Sequence, residues 1–92
     1  MANQRLGELR QRIDEINLQI LELLNERIEV VQQIGIEKQK TGMKVHDSVR
    51  EKEIIEELVK KNKGLMTDEM VNQIFQEIFK MSVKFQEKQN IK

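Results

Sequence analysis

Two basic residues lie on one apolar face of the first predicted helix. Arg27 interrupts a run of leucine, isoleucine and valine residues that recurs every three or four positions from Leu6 to Ile34. Lys38 follows eleven residues later, and at about 100° per residue the two side chains fall within roughly 20° of the same face. Cations beside an apolar face need partners, and an anionic ligand would supply them.

Two polar residues interrupt the apolar face of the last predicted helix in the same way. Steps of three and four connect Val71, Phe75 and Ile78 and lead on to Ser82 and Gln86, which are predicted to point inward. Ser82 could satisfy its hydroxyl by donating to the carbonyl of Ile78. Taken with the two cations, the pattern predicts a site for an anion between helices.

A third polar cluster stands at the predicted start of the second helix. Asp47, Arg50 and Glu51 share one turn there, beside backbone N–H groups that a helix start leaves unpaired. Each residue alone is weak evidence, because 35% of the residues are charged and most such side chains lie in solvent. Asp47 could serve only as a helix cap, and His46 is interpreted as a surface loop residue.

The elements that must position these residues are three predicted helices, so the fold class is all-α. The chain has no proline and only four glycines, which favours helix. The first helix is predicted over about 3–41, with Gly42 in the left-handed conformation that ends a helix. The second is predicted over about 48–62 behind a capping box at Ser48, and the third over about 67–89 behind Thr67 as N-cap. Residues 1–92 are predicted to form a single domain.

The first helix is too long for a lone globule of this size. At 1.5 Å per residue it would extend about 57 Å, whereas a compact domain of this length has a radius of gyration of about 12 Å. Its apolar stripe must continue along a neighbour. We therefore expect an intertwined dimeric helical bundle, in which each chain gives one long and two shorter helices.

Composition argues against several other classes of protein. The 16 basic and 16 acidic residues cancel, and there is no tryptophan or tyrosine to stack bases on, so nucleic acid is an improbable partner. No cysteine and a single histidine leave little support for a metal site. No apolar run approaches the length of a membrane span and no signal segment is evident near Met1, so we expect a cytoplasmic protein without a membrane partner.

Five motifs, in their order and approximate spacing, resemble those of the all-helical chorismate mutases. The resemblance covers nearly the whole chain and is strongest to the mutase domains at the N-terminus of some bacterial DAHP synthases, which makes such a synthase a conceivable partner. The motifs are Leu9–Asp14, Asn25–Arg27, Gly35–Lys38, Asp47–Glu51 and Ser82–Gln86.

The resemblance implies an intramolecular Claisen rearrangement of chorismate to prephenate, a step toward phenylalanine and tyrosine in the shikimate pathway. In this reaction a C–O bond breaks as a C–C bond forms, no proton needs to move, and no cofactor is required. The enzyme has to clamp the folded conformer and direct donors at the ether oxygen as negative charge builds there.

The resemblance also assigns roles to individual residues. Arg10 and Arg27 would bind the two carboxylates, Lys38 and Gln86 would donate to the ether oxygen, and Glu51 would accept from the ring hydroxyl. The supporting polar residues would be Asp47, Arg50 and Ser82, and the apolar walls would be Ile34, Phe79 and Val83. The chain departs from the family where Lys44, Val45 and His46 lack the usual arginine.

Helix geometry decides which chain would supply Arg10. It precedes Arg27 by seventeen residues, which is about 25 Å along one helix with a rotation of roughly 100°. One helix cannot bring both side chains to one small ligand. If both bind the same chorismate, Arg10 must come from the other protomer.

Two other functions remain open at this point. An isochorismate-pyruvate lyase would share the fold and a related pericyclic step, and product analysis with both substrates separates it from a mutase. A non-catalytic module would either sense chorismate or prephenate for a DAHP synthase or simply dimerise. Ligand binding without turnover would identify the sensor, and the absence of both would identify a plain bundle.

Overall fold

The computed structural model describes residues 3–90, except for the side chain of Asn90. Its elements are three α-helices: α1 (Asn3–Thr41), α2 (Ser48–Lys61) and α3 (Asp68–Asn90). The all-α prediction is confirmed, and each observed helix boundary lies within one residue of the predicted one. The four terminal residues of the predicted single domain, 1–2 and 91–92, lie outside the described part, and the single domain stays a prediction.

Local sequence signals set the helix ends. Gly42 follows α1 with φ of +72°, a left-handed conformation that glycine adopts without steric cost. Asp47 caps α2, because its Oδ1 accepts from the backbone N–H of Arg50 at 3.0 Å. Thr67 caps α3 in the same way, its Oγ1 accepting from the N–H of Met70 at 3.1 Å. The predicted capping box at Ser48 is wrong, since Ser48 is already the first helical residue.

The chain divides into two compact units, of which the first is residues 1–30. Its described part is the leading stretch of α1, and large apolar side chains stand exposed along it. Leu9 is 47% exposed, Ile13 56% and Leu23 64%. Helix stability in proteins comes mostly from packing an apolar face against other elements. The described part of this unit contains no second element against which these apolar side chains could pack.

The second unit, residues 31–92, contains the end of α1 together with α2 and α3. Its small apolar core is formed by Val31, Val71 and Phe79, which are 6%, 6% and 4% exposed. The rings of Phe75 and Phe79 pack at a tilt of 56° with their centroids 6.1 Å apart. This unit holds most of the predicted polar residues. Among the described residues, no helix combines the length and apolar character needed to cross a bilayer.

Candidate active site

Gln86 is a buried polar residue of the second unit. It lies on α3 and is only 5% exposed. Its Nε2 donates to the backbone carbonyl of Val31 on α1 at 3.3 Å. One turn further along α3, Nε2 of Gln89 donates to the next carbonyl of α1, that of Gln32, at 3.1 Å. Two side-chain amides thus tie the end of α3 to consecutive carbonyls of α1.

Gly35 allows α3 to approach α1 this closely. A Cβ at this position would meet the side-chain Oε1 of Gln89 and would lie 3.3 Å from Cγ of Gln86. The approach to Oε1 is closer than real Cβ contacts, and the approach to Cγ is tighter than most of them. The missing side chain of Gly35 is therefore the space that the two glutamines fill.

Lys38 and Ser82 are both half-buried, and each has a backbone partner. Nζ of Lys38 donates to the carbonyl of Val45 at 2.7 Å, which ties the last turns of α1 to the loop before α2. An ammonium has three N–H donors, so this bond leaves two for a ligand. Oγ of Ser82 donates to the carbonyl of Ile78 at 2.9 Å, which is the local alternative considered from the sequence.

The start of α2 and one side of α3 enclose a cavity of about 400 Å³. Three of the predicted site residues, Glu51, Phe79 and Val83, line it. His46 lines it too, and its Nε2 lies 3.2 Å from Oε1 of Glu51. The imidazole is exposed, as expected of a loop residue, whereas the Glu51 side chain is only 21% exposed. The cavity is completed by charged and amide side chains of α3: Gln76, Lys80, Lys84 and Glu87.

Asp47 and Arg50 hold the first turn of α2. The Asp47 carboxylate serves as the helix cap, so one of its roles is structural, as the sequence allowed. The Arg50 side chain is exposed, with its guanidinium 3.8 Å from the Glu53 carboxylate. A pair this exposed contributes little to stability and leaves the guanidinium able to exchange partners.

The remaining predicted residues lie on α1. In the first unit, Arg10 is exposed and Arg27 is half-buried, and burial lowers the pKa of the Arg27 guanidinium below its ordinary value. Ile34, predicted as an apolar wall, belongs to the second unit and is 44% exposed. Of the predicted site residues, the second unit brings Glu51, Phe79 and Val83 together at one cavity.

Sequence reasoning gave Gly35, Gln89 and His46 no role in the site, although Gly35 begins one of the five motifs. Gln89 continues the inward register of Ser82 and Gln86 by three residues, so the same periodicity could have found it. A glycine inside a predicted helix costs stability unless close packing requires it, which was the available signal for Gly35. His46 contacts Glu51 five residues later, but the loop conformation that brings the two side chains together has no sequence signal.

The polar side chains that the structure holds between helices are mainly hydrogen-bond donors. The buried amide of Gln86 and the half-buried ammonium of Lys38 are suited to holding an anion and to stabilising negative charge that develops during a reaction. Within residues 3–90, no three histidine, cysteine or carboxylate side chains group as metal ligands. The fold and these residues define an all-helical domain with donor groups fixed between its helices.

Comparison with known proteins identifies the family. Residues 9–87 match the family described as chorismate mutase type II, and the chain belongs to this family. It is 36% identical to the bifunctional chorismate mutase/prephenate dehydratase of Aquifex aeolicus, over 92% of this chain and 25% of that protein. It is 35% identical to the chorismate mutase of Methanocaldococcus jannaschii, over 79% of this chain and 75% of that protein.

Solved structures agree with this membership. The chain resembles form II of the chorismate mutase of Thermus thermophilus with a TM-score of 0.89 and 39% identity, covering 92% of this chain and 97% of that one. Form I gives a TM-score of 0.81 and 40% identity, covering 85% and 98%. The chain thus spans a quarter of the bifunctional Aquifex protein and nearly all of the Thermus chains.

Proposed function

We propose that this protein is a chorismate mutase, an isomerase that converts chorismate to prephenate. Membership of the family supports the proposal, and so does one observation above all, the buried amide of Gln86. Its Nε2 carries two N–H groups and the carbonyl of Val31 takes one of them. The second is a donor in a buried position, where it would stabilise a developing charge more than it does in water.

Each remaining residue takes the part that the family resemblance assigns to it. Lys38 is the second donor to the ether oxygen, and its bond to Val45 limits where the ammonium can move. Glu51 accepts from the ring hydroxyl, and Arg27 binds a carboxylate. Asp47, Arg50 and Ser82 support these groups, and Ile34, Phe79 and Val83 form apolar walls. No cofactor takes part.

Loss of either donor tests the mechanism. We expect Gln86→Ala and Lys38→Ala each to lower kcat by about 10² to 10³, as the loss of one oxyanion-type donor does. Absorbance would follow chorismate loss, and product analysis with chorismate and isochorismate would separate mutase from lyase activity. Lys40→Ala is the matched control, because Lys40 lies on the same turn but is exposed. Unchanged kcat in both donor variants would refute the mechanism.

We also propose that the active unit is a homodimer in which Arg10 comes from the second protomer. The exposed stripe of Leu9, Ile13 and Leu23 supports this, since a second copy offers a matching stripe. The continuous helix α1 supports it as well, because Arg10 and Arg27 stand about 25 Å apart along it. A monomer would then lack one carboxylate-binding residue and be inactive.

A second enzyme as partner and the cellular location stay predictions. The motifs resemble mutase domains fused to DAHP synthases, so a DAHP synthase is the partner we propose to test by co-purification. The bifunctional relative from Aquifex aeolicus pairs its mutase with a prephenate dehydratase instead. We expect the protein in the cytoplasm.

A further inference from the structure

The last turns of α3 contain a second inward amide beside that of Gln86. Gln89 lies three residues further on, and its Nε2 binds the carbonyl of Gln32 just as Gln86 binds that of Val31. Both carbonyls already accept within α1 in a regular helix. A carbonyl oxygen has two lone pairs, so each can accept the side-chain amide in addition. The two amides form a ladder of cross-helix bonds.

We propose that Gln89 is a positioning residue for Gln86. The inference rests on the proposed function, since it concerns how the donor to the ether oxygen is held. With Gln89 fixed on Gln32, the last turn of α3 cannot rotate, and Gln86 keeps one N–H on Val31. Its second N–H therefore has a set direction before a ligand arrives.

The packing at Gly35 supports this role. The Oε1 of Gln89 is buried and makes no hydrogen bond within the described residues. It lies closer to the position of a Cβ on residue 35 than real Cβ contacts allow. A buried acceptor without a partner costs free energy, so the amide keeps this position because its N–H bond and its packing against Gly35 offset that cost. The same gap borders Cγ of Gln86, which is 3.3 Å from that Cβ position.

The test is kinetic and uses the full chain. Gln89→Leu keeps the bulk and removes the N–H, and we expect kcat to fall about tenfold with KM changed less than about twofold, since the donor acts in the transition state. In a Gln86→Ala background the same substitution should have no further effect on kcat. Lys88→Leu is the matched control, being the same replacement at an exposed position one residue earlier.

Gly35→Ala tests the packing of Gln86 and Gln89 from the α1 side. Its methyl displaces the Gln89 amide, so kcat should fall by a similar factor, and Gln89→Leu should add nothing to that loss. Circular dichroism and thermal unfolding would show that each variant is folded. An unchanged kcat in Gln89→Leu would overturn the proposal. So would a Gln89→Leu substitution that lowers kcat by the same factor in the parent protein and in the Gln86→Ala background.

A readout that needs no turnover separates this proposal from the proposed function. Exchange of the Gln86 side-chain amide protons, followed by NMR, should be slow in the parent protein and several-fold faster in Gln89→Leu. If the parent protein lacks mutase activity, the proposed function fails while the exchange result still decides the positioning role. Equal exchange rates in the two proteins would overturn it.

Discussion

At the scale of single residues, the proposed mechanism depends on donors whose positions are fixed. Gln86 carries no charge and Lys38 is tied to a backbone carbonyl. The net charge of the chain is zero, so long-range attraction contributes little to substrate capture. Short-range positioning therefore has to provide most of the stabilisation of the transition state.

Such a mechanism should depend little on pH, and we expect kcat to vary less than about twofold between pH 5 and 9. Gln86 does not titrate, and a guanidinium remains protonated in this range. Burial lowers the pKa of Arg27, which means that folding disfavours its charged form. This cost to stability is constant below the folded-state pKa, and it is lost as pH rises from the folded-state value to the ordinary one.

The measurement is kcat across this range at constant ionic strength. A change centred near neutral pH would contradict the expectation and would point to His46, which contacts Glu51 and is the only histidine in the sequence. His46→Asn is the control, because it keeps a polar side chain at that position without a titrating group. A change that persists in this variant would have another origin.

At the scale of the helices, the caps and the close approach of α1 and α3 determine where the donors stand. Asp47 starts α2 and so sets the position of Glu51 one turn later. Gly35 sets how near Gln86 comes to Val31. Under the proposed function, Gly35, which has no side chain to offer a ligand, thus controls the geometry of a donor.

The cap can be tested by stability alone. We expect Asp47→Ala to lower the free energy of unfolding by about 0.5 to 2 kcal/mol, since the N–H of Arg50 loses its acceptor. Ser48→Ala, at the first helical position, should change it by less than about 0.5 kcal/mol. Urea unfolding of both variants without ligand gives the comparison. A larger loss in Ser48→Ala would restore the capping-box interpretation.

At the scale of the whole molecule, the decisive question is which chain supplies each part of a site. If Arg10 and Gln86 of one site come from different protomers, a dimer of one Arg10→Ala chain and one Gln86→Ala chain contains one intact site. Random pairing of equal amounts makes half of the dimers mixed, so activity should recover to about a quarter of the parent value.

The two variants would be refolded together and compared with each refolded alone. Sedimentation or light scattering gives the mass in solution at the assay concentration. No recovery in the mixture, with dimers present, would place both residues of a site on the same chain. A fully active monomer would contradict the shared site altogether.

The sequence by itself determined the three helices, their ends and the inward register of Gln86. Those features depend on local signals: the period of apolar residues, Gly42 after α1, and Thr67 before α3. The helical period and the capping interactions each involve residues close together in the sequence, so both can be predicted from the sequence. Even here the choice between Asp47 and Ser48 as cap required the backbone geometry.

Only the tertiary structure decided what the inward residues contact. Gln86 meets a carbonyl 55 residues away, and Gln89 fills the gap at Gly35. Such contacts depend on how two helices approach and on which small residue allows it. A local pattern carries no information on these distances, because they are set by the packing of elements far apart in the sequence.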